Sequence, residues 1–384
     1  MRVMISCGEP SGDLYAGALA TALRALEPSI EITGFGSDRL RAAGASLTGD
    51  FKGLSVTGLL EVARVLPRTY ATYRRLVDEA ATRRPDVFVA IDFPDFNFRL
   101  ASAVRRLGVP VVYYISPQLW AWRRGRMKTM RQIADRVLVI FPFEAAIYEA
   151  AGVPVEWVGH PLLDVAETPE PRERFLRSLG LDHARPVVAL LPGSRRNELR
   201  QILPDLARAA ALVRNRLPET QFIVARAPHL PELLFEPLRL LGSGMDAAVL
   251  VDGRADDVLA AADLALVASG TVTVQAALHE CPMVVVYRLS PLTYAMGKPF
   301  VHVDTYAMAN LVAGRTVVPE LIQDAFTPEA VAEAALRVLA NPTYAAQVRR
   351  ELREVRGKLG APGASGRAAA AVLEVARGTP RKGG

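Results

Sequence analysis

Side chains that bind metals or form disulfides are scarce in this sequence. The 384 residues include two cysteines, Cys7 and Cys281, and five histidines. Both cysteines lie in apolar surroundings, and no metal-binding spacing such as CxxC or HExxH occurs. The composition therefore predicts no disulfide framework, no metal site and a reducing compartment, and it gives no sign of a cofactor.

Long apolar runs and a secretion signal are also missing. No apolar stretch approaches the ~18–20 residues that span a bilayer, and the amino terminus, MRVMISC, enters a predicted strand without a signal-peptide layout. We therefore expect a soluble cytosolic protein of bacterial type. The phosphate loop GxxxxGK[ST] is absent too, which excludes the ordinary P-loop enzymes.

The composition is that of a globular protein with an excess of positive charge. Hydrophobic residues make up 51% and charged residues 22% of the chain. A length of 384 residues exceeds the usual size of one core, so two domains are expected. The formal net charge of +6 favours an anionic partner, such as a nucleotide, a nucleic acid or an anionic membrane surface.

The stretch 263–281 predicts a buried strand that turns directly into a helix. LALVA at 264–268 is a short apolar run of the kind buried on both faces of a parallel sheet. The turn Ser269-Gly270-Thr271 then lies at the carboxyl end of a strand, where open α/β sheets bind ligands and a helix N-terminus favours phosphate. The alternative is that Ser269 or Thr271 only caps the helix.

A second turn of this kind, PGSRRNE at 192–198, follows the predicted strand 187–191. Ser194 and Arg195 stand where such a turn would hold a phosphate. The Arg195 guanidinium offers the bidentate geometry that a diphosphate needs. The two turns together predict a phosphate-binding region in the second half of the chain.

Carboxylates follow two predicted strands in the first half. Glu9 comes after the first strand, where it could hydrogen-bond sugar hydroxyls, relay a proton or complement a helix dipole. Asp92 and Asp95 come after the strand 86–91. We expect Asp95 to cap a helix that begins near Phe98, which leaves Asp92 as the candidate general base.

An aromatic and cationic segment follows the predicted strand 111–115. Trp120 and Trp122 stand there beside Arg123 and further basic residues. Such a surface could stack on RNA bases, hold a lipid headgroup or bind a phosphosugar. No RNA-binding signature surrounds it, so nucleic acid is not the expected partner.

Two further features have two interpretations each. Residues 54–76 predict a helix with an apolar side and several arginines, which could lie in a membrane interface or simply pack on its own sheet. His160, between a glycine and a proline, could act in a site or be a satisfied structural residue.

Strands alternating with helices predict an α/β fold of two doubly wound, Rossmann-like domains that face each other across a cleft. We expect an acceptor and catalytic-base domain at 1–165 and a domain for an activated donor at 166–340. C-terminal helices at 341–384 should pack back across the domains and end in a disordered tail. The carboxylates fall in the first domain and the cationic turns in the second, a division that suits a transferase.

A series of motifs resembles the lipid-A-disaccharide synthases, in the same order and over roughly residues 3–375. The motifs are GEPSGD at 8–13, IDFPDFN at 91–97, YISPQLWAWR at 114–123, FPFE at 141–144, VGHPL at 158–162, LLPGSRRNE at 190–198, SGTVTVQAAL at 269–278, and NLVAGR with VPELIQ within 310–323.

The resemblance implies the two-domain glycosyltransferase fold called GT-B. It implies an inverting transfer of 2,3-diacylglucosamine from its UDP derivative to the 6-hydroxyl of 2,3-diacylglucosamine 1-phosphate, giving the lipid A disaccharide 1-phosphate and UDP. It also implies a cytoplasmic enzyme that is peripheral on the inner face of the inner membrane, and it is compatible with a homodimer.

The resemblance assigns roles to residues through their place in these motifs. Asp92 looks like the catalytic base, and Glu9 and Asn310 look like further active-site polar groups. The UDP site is expected at Ser194, Arg195, Ser269, Gly270, Thr271 and Gln275. The acceptor or lipid site is expected at Ser11, Asp95, Trp120, Trp122 and Arg123.

Two positions depart from the family pattern. Many members have glutamate where this chain has Gln275, a position suited to the ribose hydroxyls of the donor. Glutamine can still hydrogen-bond a ribose, but without the charge. Members also usually have proline where this chain has Ala309, which affects only local rigidity.

Two other functions fit the same residues. A UDP-sugar 2-epimerase of similar fold would need no lipid acceptor, and a nucleotide-sugar-binding regulator would need no catalysis. Asp92 argues against the regulator, because a pure binder gains little from a buried base. UDP release that depends on an acylated acceptor would separate the three.

Overall fold

The computed structural model describes residues 1–52, 59–119, 125–228, 230–242, 247–289 and 305–378, with only the backbone of 59–65. These residues form two compact units. The first contains Met1–Val165 together with the chain from Leu359 onward, and the second contains the described residues between Ala166 and Lys358.

The first unit contains a seven-stranded sheet in which every neighbouring pair is parallel. The strands have the spatial order β3-β2-β1-β4-β5-β6-β7. They are β1 (Arg2–Cys7), β2 (Glu31–Gly36), β3 (Ser46–Asp50), β4 (Val87–Ile91), β5 (Val111–Tyr114), β6 (Arg136–Val139) and β7 (Val155–Trp157). The helices between and after them are α1 (Pro10–Leu26), α2 (Asp38–Ala42), α3 (Leu59–Arg83), α4 (Pro94–Arg106), α5 (Arg126–Ile133), α6 (Pro142–Ala150) and α7 (Leu162–Val165).

The second unit repeats this plan with a six-stranded parallel sheet in the order β10-β9-β8-β11-β12-β13. Its strands are β8 (Val187–Leu191), β9 (Gln221–Arg226), β10 (Val249–Asp252), β11 (Leu264–Ala268), β12 (Met283–Tyr287) and β13 (Glu320–Ile322). Its helices are α8 (Arg172–Ser178), α9 (Arg196–Arg216), α10 (Ala255–Ala261), α11 (Thr271–Leu278), α12 (Met308–Ala313), α13 (Pro328–Leu339) and α14 (Pro342–Lys358), with 3-10 turns at Glu232–Leu241 and Gln323–Ala325. The last described helix, α15 (Ala364–Gly378), belongs to the first unit and packs on α1.

The predicted α/β fold with two doubly wound parallel sheets is confirmed. All residues of β4, β8 and β11 are buried, because these apolar strands are covered by helices on both faces. In each sheet the strand order reverses once, between β1 and β4 in the first and between β8 and β11 in the second. Ligands of doubly wound folds bind outside the carboxyl ends of the strands at such a point.

The helices that follow these strands begin earlier than the sequence predicts. α1 begins at Pro10 rather than near Leu14, and α4 begins at Pro94 rather than near Phe98. Proline suits the first helical position, because its missing N–H has no helical partner there and its φ is already helical. The motifs after β1 and β4 are therefore helix N-termini rather than long loops.

His160 is a buried part of the first unit. Its ring lies 5.3 Å from Phe141 and 6.1 Å from Tyr15 between centroids, and its Nδ1 accepts a hydrogen bond of 3.1 Å from the Leu162 N–H. Burial lowers the pKa of His160 to about 3, so the imidazole is neutral at physiological pH. These contacts favour the structural interpretation of this residue.

Asp13 is a buried carboxylate on α1 that caps the neighbouring helix α2. It accepts hydrogen bonds from the backbone N–H groups of Ser37 (2.7 Å), Arg39 (2.8 Å) and Leu40 (3.3 Å). The first turn of a helix has N–H groups without helical partners, and here a carboxylate from another element satisfies three of them. The contact also holds the two helices together.

Replacing Asp13 with alanine should lower the free energy of unfolding by about 2–4 kcal/mol, because buried N–H groups would lose a charged acceptor. Asp38→Ala is the matched control, since Asp38 is an exposed carboxylate at the start of α2, the helix that Asp13 caps. Its loss should stay within about 1 kcal/mol. Urea unfolding of both variants measures this difference, and equal losses would contradict the assigned cap.

Candidate active site

The strand-order reversal of the first sheet brings together the motifs that follow β1 and β4. Cys7 pairs with Ile91, so Glu9 and Asp92 leave neighbouring parallel strands at the same edge. The two turns are in close contact: a Cβ on Gly8 would lie 2.2 Å from the ring of Phe93. Glycine is therefore required at position 8 for this approach.

Asp92 occupies a turn with unusual backbone geometry. Asp92 and Phe93 both have left-handed conformations, with φ of 43° and 49°. The Asp92 carbonyl accepts hydrogen bonds from the Tyr113 hydroxyl (3.0 Å) and from Asn97 Nδ2 (2.8 Å). Its side chain is half-buried, as a base that must reach a substrate hydroxyl requires.

Two tyrosine hydroxyls lie within the field of the Asp92 carboxylate. Burial, with the negative charge of Asp92 added to it, raises the pKa of Tyr113 and of Tyr15. Both phenols therefore remain neutral hydroxyls at physiological pH. The Tyr15 hydroxyl is buried and has no hydrogen-bond partner among the described residues.

Asn97 is a residue of this site that the sequence analysis did not single out. It is fully buried, and its side chain contacts Ser6, Ile91 and Asp92. The available signal was an asparagine between two phenylalanines at the start of a helix. Its partner Ser6 is 91 residues away in sequence, which no local pattern reveals.

The predicted cap role of Asp95 is wrong. Phe93 occupies the N-cap position of α4, so Asp95 lies within the first turn of this helix and not at its cap. Its side chain is 72% exposed and forms an ion pair with Arg126. A carboxylate in a first turn still favours the helix dipole.

Glu9 and Ser11 flank the start of α1. Glu9 is the N-cap residue, but its side chain makes no capping hydrogen bond, while its carbonyl accepts one of 2.9 Å from the Asp13 N–H. Both residues are half-buried. They therefore lie at the same sheet edge as Asp92, consistent with their predicted place beside a substrate.

A carboxylate of the chain itself already binds the turn after β8. The N–H groups of Ser194 and Arg195 donate to Glu198 Oε2 at 3.1 and 3.3 Å, and Arg195 NH1 donates to Glu198 Oε1 at 2.9 Å. Glu198 therefore stands where an anion would bind at the start of α9. The sequence analysis quoted this glutamate in its motif without giving it a role.

The turn after β11 is open by contrast. Gly270 is the N-cap of α11 with a φ of 151°, and it is exposed together with Thr271. Within the described part of the chain, the backbone N–H groups of residues 270–272 have no hydrogen-bond partner. Ser269 is anchored, since its Oγ donates to the Tyr306 carbonyl at 3.3 Å. This helix N-terminus is the better phosphate site of the two.

Gln275 is held by a neighbouring carboxylate. Its Nε2 donates to Asp256 Oδ1 at 2.8 Å, and the same oxygen lies 2.7 Å from His279 Nε2. Burial raises the pKa of Asp256, but the hydrogen bonds from His279 and Gln275 outweigh it and the net shift is downward. The glutamine nitrogen is thus engaged, and its oxygen is the atom available to accept from a ribose hydroxyl.

The side chain of Asn310 is used within the fold. Its Oδ1 accepts from the N–H groups of Val317 (2.7 Å) and Val318 (3.0 Å), and its Nδ2 donates to the Val318 carbonyl (2.8 Å) and to Glu320 (2.6 Å). Glu320 in turn accepts from the Tyr306 N–H. Asn310 is therefore linked to Ser269 through Glu320 and Tyr306, and its direct role in a reaction stays a prediction.

The structure groups the predicted site residues at two sheet edges. Glu9, Ser11 and Asp92 follow β1 and β4, and the turns containing Arg195 and Ser269 follow β8 and β11. Trp120, Trp122 and Arg123 lie outside the described residues. No group of three His, Cys, Asp or Glu side chains is arranged as metal ligands in the described ranges.

The solved structures with similar folds include enzymes that act on nucleotide sugars. The UDP-GlcNAc 2-epimerase from Neisseria meningitidis, solved with UDP-GlcNAc, matches with a TM-score of 0.68 and 13% identity over 97% of this chain and 100% of that one. The calicheamicin glycosyltransferase CalG4 matches with a TM-score of 0.61 and 18% identity over 99% of both chains. At these identities the likeness shows the fold alone.

Sequence comparison is far more specific. The lipid-A-disaccharide synthetase family model matches residues 3–374. Lipid-A-disaccharide synthases from Geobacter sulfurreducens and Myxococcus xanthus are 45% and 43% identical, each over 97% of both chains. A match of this extent means that the chain belongs to the lipid-A-disaccharide synthetase family.

Proposed function

We propose that the protein transfers 2,3-diacylglucosamine from UDP-2,3-diacylglucosamine to the 6-hydroxyl of 2,3-diacylglucosamine 1-phosphate, releasing UDP. The observation that carries the proposal is the position of Asp92, a half-buried carboxylate at the strand-order reversal of the first sheet. The second sheet has an open helix N-terminus and Arg195 at its own reversal. These two arrangements suit an acceptor and a diphosphate donor respectively.

The chemistry is a single displacement at the anomeric carbon. Asp92 takes the proton of the acceptor hydroxyl while the oxygen attacks, and the bond to the UDP oxygen breaks on the opposite face. Negative charge then grows on the leaving diphosphate. Arg195 and the N–H groups at the start of α11 are the groups that stabilise it. Inversion of configuration follows, which gives the β-1,6 disaccharide.

The two rival functions have less support. The epimerases share the fold at 13–16% identity, whereas the synthase family matches nearly the whole chain. A regulator that only binds the nucleotide sugar would not need Asp92 in a strained turn. Dependence of UDP release on the acylated acceptor distinguishes the transferase from both rivals.

We infer a peripheral position on the cytoplasmic face of the inner membrane, because both substrates carry acyl chains. Among the described residues, no helix is long and apolar enough to cross a membrane. The described part of α3 exposes 52% of Leu66 and 60% of Tyr70 near the exposed side chains of Arg68, Arg74 and Arg75. Apolar and cationic groups side by side suit an anionic lipid surface. Association into a homodimer stays a prediction.

Asp92→Ala should lower acceptor-dependent UDP release by on the order of 100-fold or more, because the acceptor hydroxyl would lose its proton acceptor. The matched control is Asp86→Asn, at the amino end of the same strand region, which should keep most of the activity. Release is measured with and without the acylated acceptor. UDP release by the wild type without the acceptor would contradict the proposed transferase reaction. A fully active Asp92→Ala variant would contradict the assignment of Asp92 as the base.

Arg195→Lys should raise the KM for the UDP donor about tenfold or more, because lysine keeps the charge but loses the two-pronged geometry. Arg208→Lys serves as the control, because Arg208 is an exposed residue of α9, the helix that begins directly after Arg195. Steady-state kinetics with the donor varied at saturating acceptor provide the values. Equal KM values for both variants would remove Arg195 from the diphosphate site.

The double variant Leu66→Ser/Tyr70→Ser should bind vesicles of phosphatidylethanolamine and phosphatidylglycerol at least about tenfold more weakly, because each lost side chain removes apolar burial. The control pair is Leu233→Ser/Leu240→Ser, which removes two exposed leucines from the second unit. Co-sedimentation with vesicles compares the two. Equal loss in both pairs would show that α3 is not the membrane contact.

A further inference from the structure

The turn that carries Asp92 needs an external support. Asp92 and Phe93 are consecutive non-glycine residues whose backbones have the left-handed conformation. This conformation costs about 1–2 kcal/mol for each residue that carries a side chain. Such geometry persists only where the surrounding structure holds it. The turn begins directly after β4, so the Asp92 carbonyl lies beyond the paired residues of the sheet and requires donors.

Asn97 provides one donor from the first turns of α4, and the Tyr113 hydroxyl provides another to the same Asp92 carbonyl at 3.0 Å. Asn97 Nδ2 lies 3.1 Å from the Ile91 carbonyl, 2.8 Å from the Asp92 carbonyl and 3.1 Å from the Ser6 carbonyl. An amide nitrogen has only two protons, so two of these three contacts share one proton. The side chain is completely buried, where solvent does not compete for them. One amide therefore joins the end of β1 to both residues at the end of β4.

Three carbonyls determine the orientation of this amide, and Ser6 satisfies its oxygen. The Ser6 hydroxyl donates to Asn97 Oδ1 at 2.7 Å and is itself fully buried. Because carbonyl oxygens only accept and Oδ1 cannot donate, a rotation of the amide by half a turn would place an acceptor against three carbonyls. The hydrogen bond from Ser6 holds the amide oxygen on the side away from the turn, so Nδ2 stays directed at the turn.

We propose that Asn97 and Ser6 act together as positioning residues that hold the Asp92 carboxylate in its working geometry. The inference rests on the proposed function, in which Asp92 is the base. Neither residue contacts substrate in this assignment. Their effect passes through the backbone of the Asp92 turn, and a displacement of about 1 Å in a reacting group lowers rates on the order of 100-fold.

The competing interpretation is that the contacts of Ser6 and Asn97 only stabilise the pairing of β1 with β4. Ser6→Thr and Ser6→Val separate the two, because threonine and valine have the same shape and differ only in the hydroxyl. Any packing effect of the added methyl is common to both variants. The difference between them reports the hydrogen bond from residue 6 that holds the Asn97 amide oxygen in place.

Kinetics at a temperature where all variants are folded provide the first test. Asn97→Ala and Ser6→Val should lower kcat by about 100-fold and about tenfold, while the KM for the UDP donor stays within about twofold. Ser6→Thr should retain wild-type kcat. Equal kcat in Ser6→Thr and Ser6→Val, or a full kcat in Asn97→Ala with only a lower melting temperature, would overturn the positioning role.

Hydrogen exchange of the peptide spanning 91–98 provides a test that does not need activity. Exchange should rise in Asn97→Ala and Ser6→Val but not in Ser6→Thr, because the turn loses its support only in the first two. Unchanged exchange in Asn97→Ala overturns the inference whatever the kinetics. If the wild type lacks acceptor-dependent UDP release, the proposed reaction fails, and the exchange result alone decides whether Asn97 holds the turn.

Discussion

The parallel pairing of β1 with β4, and of β8 with β11, determines where this molecule can do chemistry. All strands of each sheet run in one direction, so all their carboxyl ends share one edge. At each reversal of strand order, the chain leaves the two adjacent strands in opposite directions. The helices that follow these two strands begin side by side. The polar motifs stand directly after these four strands. The apolar residues of the strands specify the topology of each sheet, and this topology places the polar motifs at one edge of it.

The two sheet edges treat charge differently. The first has the half-buried carboxylates of Glu9 and Asp92, with neutral tyrosine hydroxyls of raised pKa around Asp92. At the second, two polar side chains are paired with carboxylates of the same unit: Arg195 with Glu198, and Gln275 with Asp256. The start of α11 is the exception, since its N–H groups are open within the described residues. The proposed proton acceptor and the proposed anion site thus lie on separate copies of one fold.

The sequence predicts strands better than it predicts side-chain networks. β1, β8 and β11 have the predicted bounds, because each is an apolar run that ends at a polar or glycine-containing turn. α1 and α4 begin earlier than the sequence predicts, because proline is typical of a loop as well as of a first helical turn. The sequence does not predict β3 and β13, since these strands are short and half-exposed.

The remaining features depend on contacts that are distant in sequence. Asn97 meets Ser6 across 91 residues, and Asp256 meets Gln275 across 19. Glu198 is only three residues from Arg195, but sequence alone does not tell whether such a glutamate faces solvent or the helix start. The roles of Glu9, Asn310 and the tryptophan segment stay predictions.

Glu198 has a consequence for ligand selectivity. A carboxylate tethered beside the N–H groups of residues 194–195 competes at a fixed local concentration, which for short tethers lies in the millimolar range or above. Free inorganic phosphate would gain only its contacts with this turn, so it has no further binding energy with which to displace the carboxylate. A ligand that gains binding energy elsewhere, through a nucleoside or a sugar, can displace the carboxylate or bind beside it. In the proposed diphosphate site, Glu198 is thus an internal competitor that weakens the binding of small anions.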